Sequence, residues 1–300
     1  MAASYRWPGR GALDPGGAAA YHGASMPHAT IDLDRYRTPV ANLDAVRPSD
    51  TGPYPADGEG RRAAAEDLGA LVARMAELQR MFYADGRYAL LLVLQALDAG
   101  GKDGTIRRVL SGLNPQGVRV TSFKAPTELE LAHDFLWRVH QAAPRRGYIG
   151  VFNRSHYEDV LVVRVDGLVP EAEWRARYDH ITAFERLLMD AGTRWLKAYL
   201  HIDRSEQARR LRQRLEDPTR HWKFDAADLR MREQWDDYRA AYAEVFARTG
   251  GEGTPWLIVP ANRKWYRDVV VATAMVEALE ALPLRWPEPR IDLSRFTVGD

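Results

Sequence analysis

Five short apolar runs, separated by segments with helical periodicity, constrain the fold of this 300-residue chain more than any other feature. Their apolar character is continuous rather than alternating, and they cover residues 89–96, 118–123, 148–153, 195–202 and 255–260. A strand that is apolar on both faces is buried on both faces, which is typical of a parallel sheet covered by helices. The runs therefore predict an α/β domain, doubly wound around a parallel five-stranded sheet.

Two segments stand out from this alternation of strands and helices. Residues 1–60 are rich in Gly, Pro and Ala and lack sustained periodicity, which predicts an irregular N-terminal arm before a domain at 61–300. The longest interval between two strands contains a segment at about 203–235 in which Pro218 separates two stretches with helix-capping residues. We expect these two helices to form a lid inserted before the last strand.

The composition excludes several classes of site and partner. A net charge of +1 gives no global case for binding nucleic acid, so any anion site must be a local group of Arg and Lys. The lack of cysteine excludes disulfides, thiolate metal sites and a Cys nucleophile. No run reaches the roughly 20 apolar residues of a membrane span, and residues 1–23 lack the apolar core of a signal peptide. We therefore expect a cytoplasmic protein that does not enter a membrane.

The stretch LDAGGKDGTI, residues 97–106, follows the first predicted strand and is similar to a phosphate-binding loop with two changes. Ala96 stands where the pattern G-x-x-x-x-G-K-[ST] has its first Gly, and Asp103 stands where it has Ser or Thr. A glycine-rich turn that binds nothing is the alternative interpretation.

The chemistry of this loop favours an anion site. Gly100-Gly101 and a helix that starts near Lys102 would direct backbone N–H groups and the positive end of the helix dipole toward an anion. Lys102 can reach phosphoryl oxygens as a point charge, and Asp98 is suited to hold Mg²⁺ or to orient an attacking oxygen. The candidate phosphate-binding residues of the loop are Ala99, Gly100, Gly101, Asp103, Gly104 and Thr105.

A second polar group, within GVFNRSHYEDVLV, follows the third predicted strand, at the strand end where α/β sheets bind ligands. Arg154 can clamp a phosphate, and Glu158 or Asp159 can supply another carboxylate for a metal ion. Asn153 stands where related second motifs carry an aspartate. The alternative is an ordinary polar loop whose side chains form caps and surface ion pairs.

The predicted lid contains more basic than acidic side chains. A row of Arg on a helix could hold a triphosphate or a long polyanion, and a lid could close over the reaction and exclude water. A solvated basic helix is the alternative. The basic residues are Arg204, Arg209, Arg210, Arg212, Arg214, Arg220 and Lys223.

Seven motifs in matching order, from about residue 60 to 283, resemble the polyphosphate kinase 2 family and within it the class III enzymes. They are LDAGGKDGTI, VTSFKAP, HDFLWR, GVFNRSHYEDVLVVRV, FERLL, HWKF…WDDY and PWLIVPANRKWYR. The resemblance implies a three-layer P-loop kinase fold with a helical lid. It further implies phosphate transfer from inorganic polyphosphate to adenine or guanine nucleotides, assisted by Mg²⁺ with Mn²⁺ as a substitute, in a dimer or tetramer.

The resemblance also implies roles for individual residues. Asp98, Lys102 and Arg154 match catalytic positions, with Asp98, Glu158 and Asp159 as the candidate metal contacts. The matching phosphate-binding residues outside the loop are Asn153, Arg209, Arg210, Arg214 and Lys223. One departure is Ala96, where the family more often has Gly and where a methyl would narrow the loop without closing it.

Two other functions fit parts of the sequence. An ATP-dependent nucleoside monophosphate kinase would share the fold, but the missing Ser or Thr after Lys102 counts against it. A protein that binds nucleotide or polyphosphate without catalysis would share the scaffold. Retention of Asp98, Lys102 and Arg154 together counts against that alternative.

Overall fold

Residues 27–251 and 253–299 are described by a computed structural model of the chain. Its five strands are β1 (Ala89–Gln95), β2 (Val118–Ser122), β3 (Ile149–Asn153), β4 (Thr193–His201) and β5 (Trp256–Pro260). They form one parallel sheet in the order β2-β3-β1-β4-β5. The predicted parallel five-stranded sheet is confirmed, and each strand starts and ends within two residues of the apolar run that predicted it.

Helices cover the sheet on both sides. Within the described residues they are α1 (Gly58–Asp85), α2 (Lys102–Val109), α3 (Glu128–Leu131), α4 (Trp137–Ala142), α5 (Glu158–Val165), α6 (Glu171–Asp190), α7 (Arg204–Glu216), α8 (Ala227–Glu233), α9 (Trp235–Thr249) and α10 (Lys264–Glu280). Helices α1, α2 and α10 pack together as one layer, and α5, α6 and α9 form the other. None of the helices in the described ranges is long and apolar enough to cross a membrane.

The register of the central strands determines which chain segments meet at the site. All seven residues of β1 are buried, because the strand has neighbours on both edges and helices on both faces. Leu94 of β1 lies opposite Asn153 of β3, and Gln95 lies opposite Tyr199 of β4. The loops that follow β1, β3 and β4 therefore leave the same end of the sheet side by side.

A buried polar network joins β4 to the α5–α6–α9 layer. The ammonium group of Lys197, fully buried on β4, donates to Glu185 Oε2 at 2.7 Å and to the carbonyl of Thr249 at 2.7 Å. The hydroxyl of Tyr157 donates to the other carboxylate oxygen of Glu185. These hydrogen bonds compensate the desolvation of both charges, so removing one partner would leave an unpaired buried charge.

Residues 27–57 pack against the domain as an irregular segment with a single 3₁₀ turn at Asp34–Tyr36. The hydroxyl of Tyr54 donates to the buried Asp67 of α1 at 2.7 Å, and the hydroxyls of Tyr36 and Tyr266 lie 2.8 Å apart. The segment ends where the Asp57 carboxylate caps α1. Residues 1–26 of the predicted arm lie outside the described residues, so the arm as a whole stays a prediction.

Candidate active site

The loop between β1 and α2 has a conformation that only particular residues tolerate. Ala99 and Gly101 have φ of +61° and +102°, and a left-handed alanine is a strained residue of the kind that clusters at functional sites. The methyl of Ala96 lies directly beneath Gly100, where a Cβ would come within 2.4 Å of it. The extra methyl at residue 96 is therefore accommodated because residue 100 has no side chain.

Lys102 begins α2 and folds back over the loop. Its ammonium group donates to the carbonyl of Ala96 at 3.0 Å. Burial, and next the nearby positive charge of Arg154, lower the pKa of Lys102 to about 8. The charges of Asp98, Glu158 and Asp103 oppose this lowering without cancelling it, so a phosphate that enters the loop would add negative charge that stabilises the ammonium form.

Arg154, Asp98 and Glu158 meet at the ends of β1 and β3. Arg154 follows β3 with a left-handed φ of +62°, and its backbone N–H donates to Leu94 of β1 at 3.1 Å. Its guanidinium donates to Asp98 Oδ1 at 2.7 Å and lies 3.6 Å from Glu158 Oε2. Three residues predicted to act together are thus in direct contact.

The first turn of α2 forms a second polar cluster. The amide of Asn153 donates to Asp103 Oδ1 at 2.8 Å, and the Lys223 ammonium lies 3.5 Å from Asp103 Oδ2. Burial alone would raise the pKa of Asp103, but the hydrogen bond from Asn153 and the charge of Lys223 hold it below its usual value. Thr105 is buried and its hydroxyl donates to the carbonyl of Gly101, so it is bound within the helix.

The predicted lid segment consists of α7, a 3₁₀ turn at Pro218–Lys223 and α8. The sequence pattern does not distinguish the arginines of this segment, but in the structure they differ in exposure and in their contacts. Arg209 is half exposed beside Glu206. Arg210 is buried and donates to the carbonyls of Ala99 and Gly100 at 3.0 and 2.9 Å, so it supports the loop from within the protein and does not face the solvent. A phosphate contact for Arg210 stays a prediction that this buried position does not favour.

Asp228 of α8 lies close to Asp98 of the loop, although no sequence motif predicts it as a site residue. Arg214 of α7 donates to Asp228 Oδ2 at 2.6 Å. Burial, and next the proximity of Asp98, raise the pKa of Asp228 to about 6. A pair of carboxylates, one from the loop and one from the lid, is therefore held together. Only the tertiary fold brings α8 over the loop, so no local sequence signal could identify this pair.

Asp159 lies in a different ion-pair cluster. Its carboxylate is 3.3 Å from Arg177 and 3.9 Å from Arg138, and within the described residues no contact joins it to Asp98. Burial raises the pKa of Asp159 to about 6. Asp228 rather than Asp159 thus adjoins Asp98, and a metal contact for Asp159 stays a prediction that this geometry does not favour.

A cavity of about 690 Å³ opens beside the loop, between α1, α2, α7 and α10. Arg210 connects it to the loop, because its guanidinium donates to the carbonyl of Ala99 and also to that of Asn262, which lines the cavity. Two acids, Asp57 and Asp268, also lie in the wall. The cationic lining residues are Arg61, Arg108, Arg209, Arg220, Arg263 and Lys264.

Three of these six cations have no carboxylate partner within residues 27–251 and 253–299. They are Arg61, Arg263 and Lys264, whereas the other three are paired with Asp268, Glu206 and Asp217. Unpaired cations in a concave site attract an anion that supplies the missing charge. The loop therefore adjoins two groups of cations, one around Arg154 and one in the cavity.

Comparison with known proteins agrees with this geometry. The profile of the family Polyphosphate kinase 2 (PPK2) matches residues 59–285. The AMP/ADP-polyphosphate phosphotransferase of Meiothermus ruber is 52% identical over 269 residues, which cover 89% of this chain and 100% of that protein. The ADP-polyphosphate phosphotransferase of Rhodopseudomonas palustris is 46% identical over 235 residues, covering 74% and 81% of the two chains.

Among solved structures, the chain is similar to the crystal structure of Polyphosphate Kinase 2 from Arthrobacter aurescens TC1. The two superpose with a TM-score of 0.83 at 41% sequence identity, over 92% of this chain and 97% of the other. The shared fold therefore extends over most of the chain and well beyond the loop motif.

Proposed function

The chain belongs to the polyphosphate kinase 2 family, and on this basis we propose that it transfers the terminal phosphate of inorganic polyphosphate to AMP, ADP or both. The observation that carries the proposal is the cavity with three unpaired cations beside the phosphate-binding loop. A polyanionic donor supplies many negative charges to such a cavity, one for each phosphate unit. The loop of an ATP-dependent kinase has Ser or Thr directly after its lysine. In this chain that residue is Asp103, whose carboxylate accepts a hydrogen bond from Asn153.

The residues around the loop fit a direct in-line transfer. A terminal phosphate oxygen of the nucleotide attacks the last phosphorus of the chain, and the bond from that phosphorus to the bridging oxygen breaks. The electron pair leaves with the polyphosphate, which is shortened by one unit. Lys102 and the loop amides hold the phosphates, and Arg154 neutralises negative charge on the equatorial oxygens in the transition state. No covalent phosphoenzyme is needed.

We propose Mg²⁺ as the cofactor, with Asp98 and Asp228 as the protein carboxylates that would hold it. The described residues contain no ready cluster of three or more His, Cys, Asp or Glu ligands. The pair formed by Asp98 and Asp228 suits Mg²⁺, which commonly binds through one or two carboxylates together with water and substrate phosphates. The raised pKa of Asp228 reflects burial and then repulsion from Asp98, and a cation between them would relieve that repulsion. When bound, Mg²⁺ neutralises charge on phosphoryl oxygens.

A donor-exchange assay tests the proposed function. The purified protein is incubated with Mg²⁺ and AMP or ADP, with either polyphosphate or ATP as the only other phosphate source, and the nucleotides are separated by chromatography. We expect ADP and ATP to form with polyphosphate. Product formed only when ATP is the donor would replace the proposal with an ordinary nucleotide kinase, and binding of polyphosphate without any product would replace it with a binding protein.

A homo-oligomer, dimer or tetramer, and a cytoplasmic location are further parts of the proposal. The support for an oligomer is the exposure of apolar side chains on the edge strand β2 and on α3, namely Val120, Leu129 and Leu131. Light scattering during size-exclusion chromatography measures the mass of the particle in solution. A mass equal to the 34.0 kDa of one chain would contradict the proposed oligomer.

A further inference from the structure

We infer that Lys264 is a specificity-determining residue for the phosphate donor: it takes up a proton when polyphosphate enters the cavity, so alkaline pH weakens binding of the donor. The inference rests on the proposed function and deepens it. It makes binding of polyphosphate, but not binding of the nucleotide, depend on the protonation of Lys264. The argument starts from the position of Lys264 among fixed charges.

Lys264 is the first residue of α10 and lines the cavity beside Arg263. In the described part of the chain, no carboxylate lies within ion-pair distance of its ammonium group. The two acids of the cavity are already bound: Asp268 pairs with Arg108 and Arg267, and the Asp57 carboxylate accepts N–H groups of its own helix. An anion that enters the cavity would therefore form an ion pair with the ammonium group of Lys264.

Positive charges surround Lys264 from every element of the wall. The cations that line the cavity outnumber its acids, Asp57 and Asp268, six to two. The cations that act on it or share its cavity are Arg61 of α1, Arg108 of α2, Arg209 and Arg210 of α7, Arg220 of the 3₁₀ turn and Arg267 of α10. Each disfavours a further charge at Lys264 until an anion arrives.

The consequence is that free Lys264 titrates close to physiological pH. Burial, followed by repulsion from Arg210, Arg267, Arg220 and Arg209, lowers its pKa to about 8. A bound polyphosphate reverses the sign of the surrounding potential and returns the pKa toward the usual lysine value. Above pH 8, Lys264 must therefore take up a proton from solution when the donor binds. This requirement makes binding of the donor weaker as the pH rises.

The linkage relation gives the size of the effect. For a group of pKa about 8 that is protonated in the complex, the apparent dissociation constant at pH 9 is about tenfold higher than at pH 7. The ionisation of polyphosphate itself acts in the opposite direction, because the chain carries more negative charge at higher pH. A loss of donor affinity on alkalinisation thus has to come from the protein.

Lys102 is a second group with a pKa of about 8, and the experiment must separate the two. Lys102 contacts the loop at which both substrates meet, so its deprotonation affects turnover and both substrates together. Lys264 lines only the cavity. The Lys264→Arg variant keeps its positive charge from pH 7 to pH 9. It therefore removes the contribution of Lys264 to the pH dependence and leaves the contribution of Lys102 unchanged.

The test measures KM for polyphosphate and for ADP at pH 7 and pH 9 in the unmodified protein, in Lys264→Arg and in Lys264→Met. We expect the pH 9 to pH 7 ratio of the polyphosphate KM to be about tenfold lower in Lys264→Arg than in the unmodified protein, with the ADP ratio equal in both. Lys264→Met should have a raised polyphosphate KM at pH 7 already. Equal polyphosphate ratios in the unmodified protein and Lys264→Arg would overturn the inference.

Calorimetric titration with polyphosphate, at pH 8.5 in two buffers of different ionisation enthalpy, measures proton uptake directly in the unmodified protein and in Lys264→Arg. Proton uptake by the unmodified protein that is clearly larger than that by Lys264→Arg supports the inference, and equal uptake by the two proteins, or no uptake by the unmodified protein, contradicts it. Failure of the proposed function is recognised separately, since the unmodified protein would then form no nucleotide product from polyphosphate at any pH.

Discussion

Substitution of Gly101 by alanine should inactivate the protein through the geometry of the loop. Gly101 has φ of +102°, and a Cβ built on it lies 2.1 Å from Nη1 of Arg267. Ordinary contact begins at 3.4 Å, so one of the two groups has to move by about 1.3 Å. Arg267 is 1% exposed and is bound to Asp268 at 2.6 Å, which leaves the loop as the part that shifts.

The structure also indicates how large the effect should be. A displacement of about 1 Å in a reacting group can reduce the rate about 100-fold, so we expect a similar loss in kcat/KM for Gly101→Ala. The backbone strain of a non-glycine residue in this region adds about 1–3 kcal/mol of destabilisation. Steady-state kinetics with polyphosphate and ADP, together with urea unfolding, measure the two effects separately.

Gly86→Ala provides the matched control. Gly86 ends α1 with φ of +63°, and the nearest atom to a Cβ there is 4.0 Å away. The alanine should therefore cost about 1–2 kcal/mol of stability from the left-handed backbone alone, with kcat/KM unchanged. If Gly101→Ala retained kcat/KM within about threefold of the unmodified protein, the tight contact between the loop and Arg267 would have no functional role and the reasoning would be refuted.

Three further predictions concern charged groups. Asp98→Asn and Lys102→Ala should each reduce kcat at least about 100-fold without lowering the thermal unfolding midpoint, and near-normal turnover in either would refute the site assignment. Lys197→Met leaves Glu185 charged and buried, so urea unfolding should report a loss of about 3–5 kcal/mol, and the double variant with Glu185→Gln should recover part of it. Burial, followed by the charge of Arg239, lowers the pKa of His201 to about 4. At low pH the unfolded chain therefore binds a proton at His201 that the folded protein does not bind. The free energy of unfolding should fall by about 3 kcal/mol as the pH drops from 6.5 to 4. His201→Phe should reduce this pH dependence in urea titrations, and an unchanged dependence of the free energy of unfolding on pH would contradict the prediction.

Local sequence patterns were sufficient where the physics is local. The strands follow from runs that are apolar on both faces, and the loop follows from Gly100, Gly101 and Lys102, whose types are dictated by backbone conformation and phosphate chemistry. The contact of Asp98 with Arg154 follows from the order of the parallel strands, because loops after adjacent strands leave the same end of a sheet.

Residues that act through tertiary packing could not be separated in this way. Arg209 and Arg210 are neighbours in sequence, yet one lines the cavity and the other is buried behind the loop, because successive residues point about 100° apart on a helix. Asp228 reaches Asp98 only through the path of the lid. The cavity collects its cations from α1, α2, α7, the 3₁₀ turn and the start of α10, so no single stretch of sequence contains it.

The central claim is that the loop directs phosphate from polyphosphate to a nucleotide in one step. It is tested most directly by a single turnover with ³²P-labelled polyphosphate, excess enzyme, Mg²⁺ and unlabelled ADP, quenched with acid at intervals. The account predicts that label passes from polyphosphate to the γ-phosphate of ATP with no labelled protein at any time, and that Asp98→Asn abolishes the transfer. Label that appeared first on the protein, or that reached the nucleotide only when ATP was added, would contradict it.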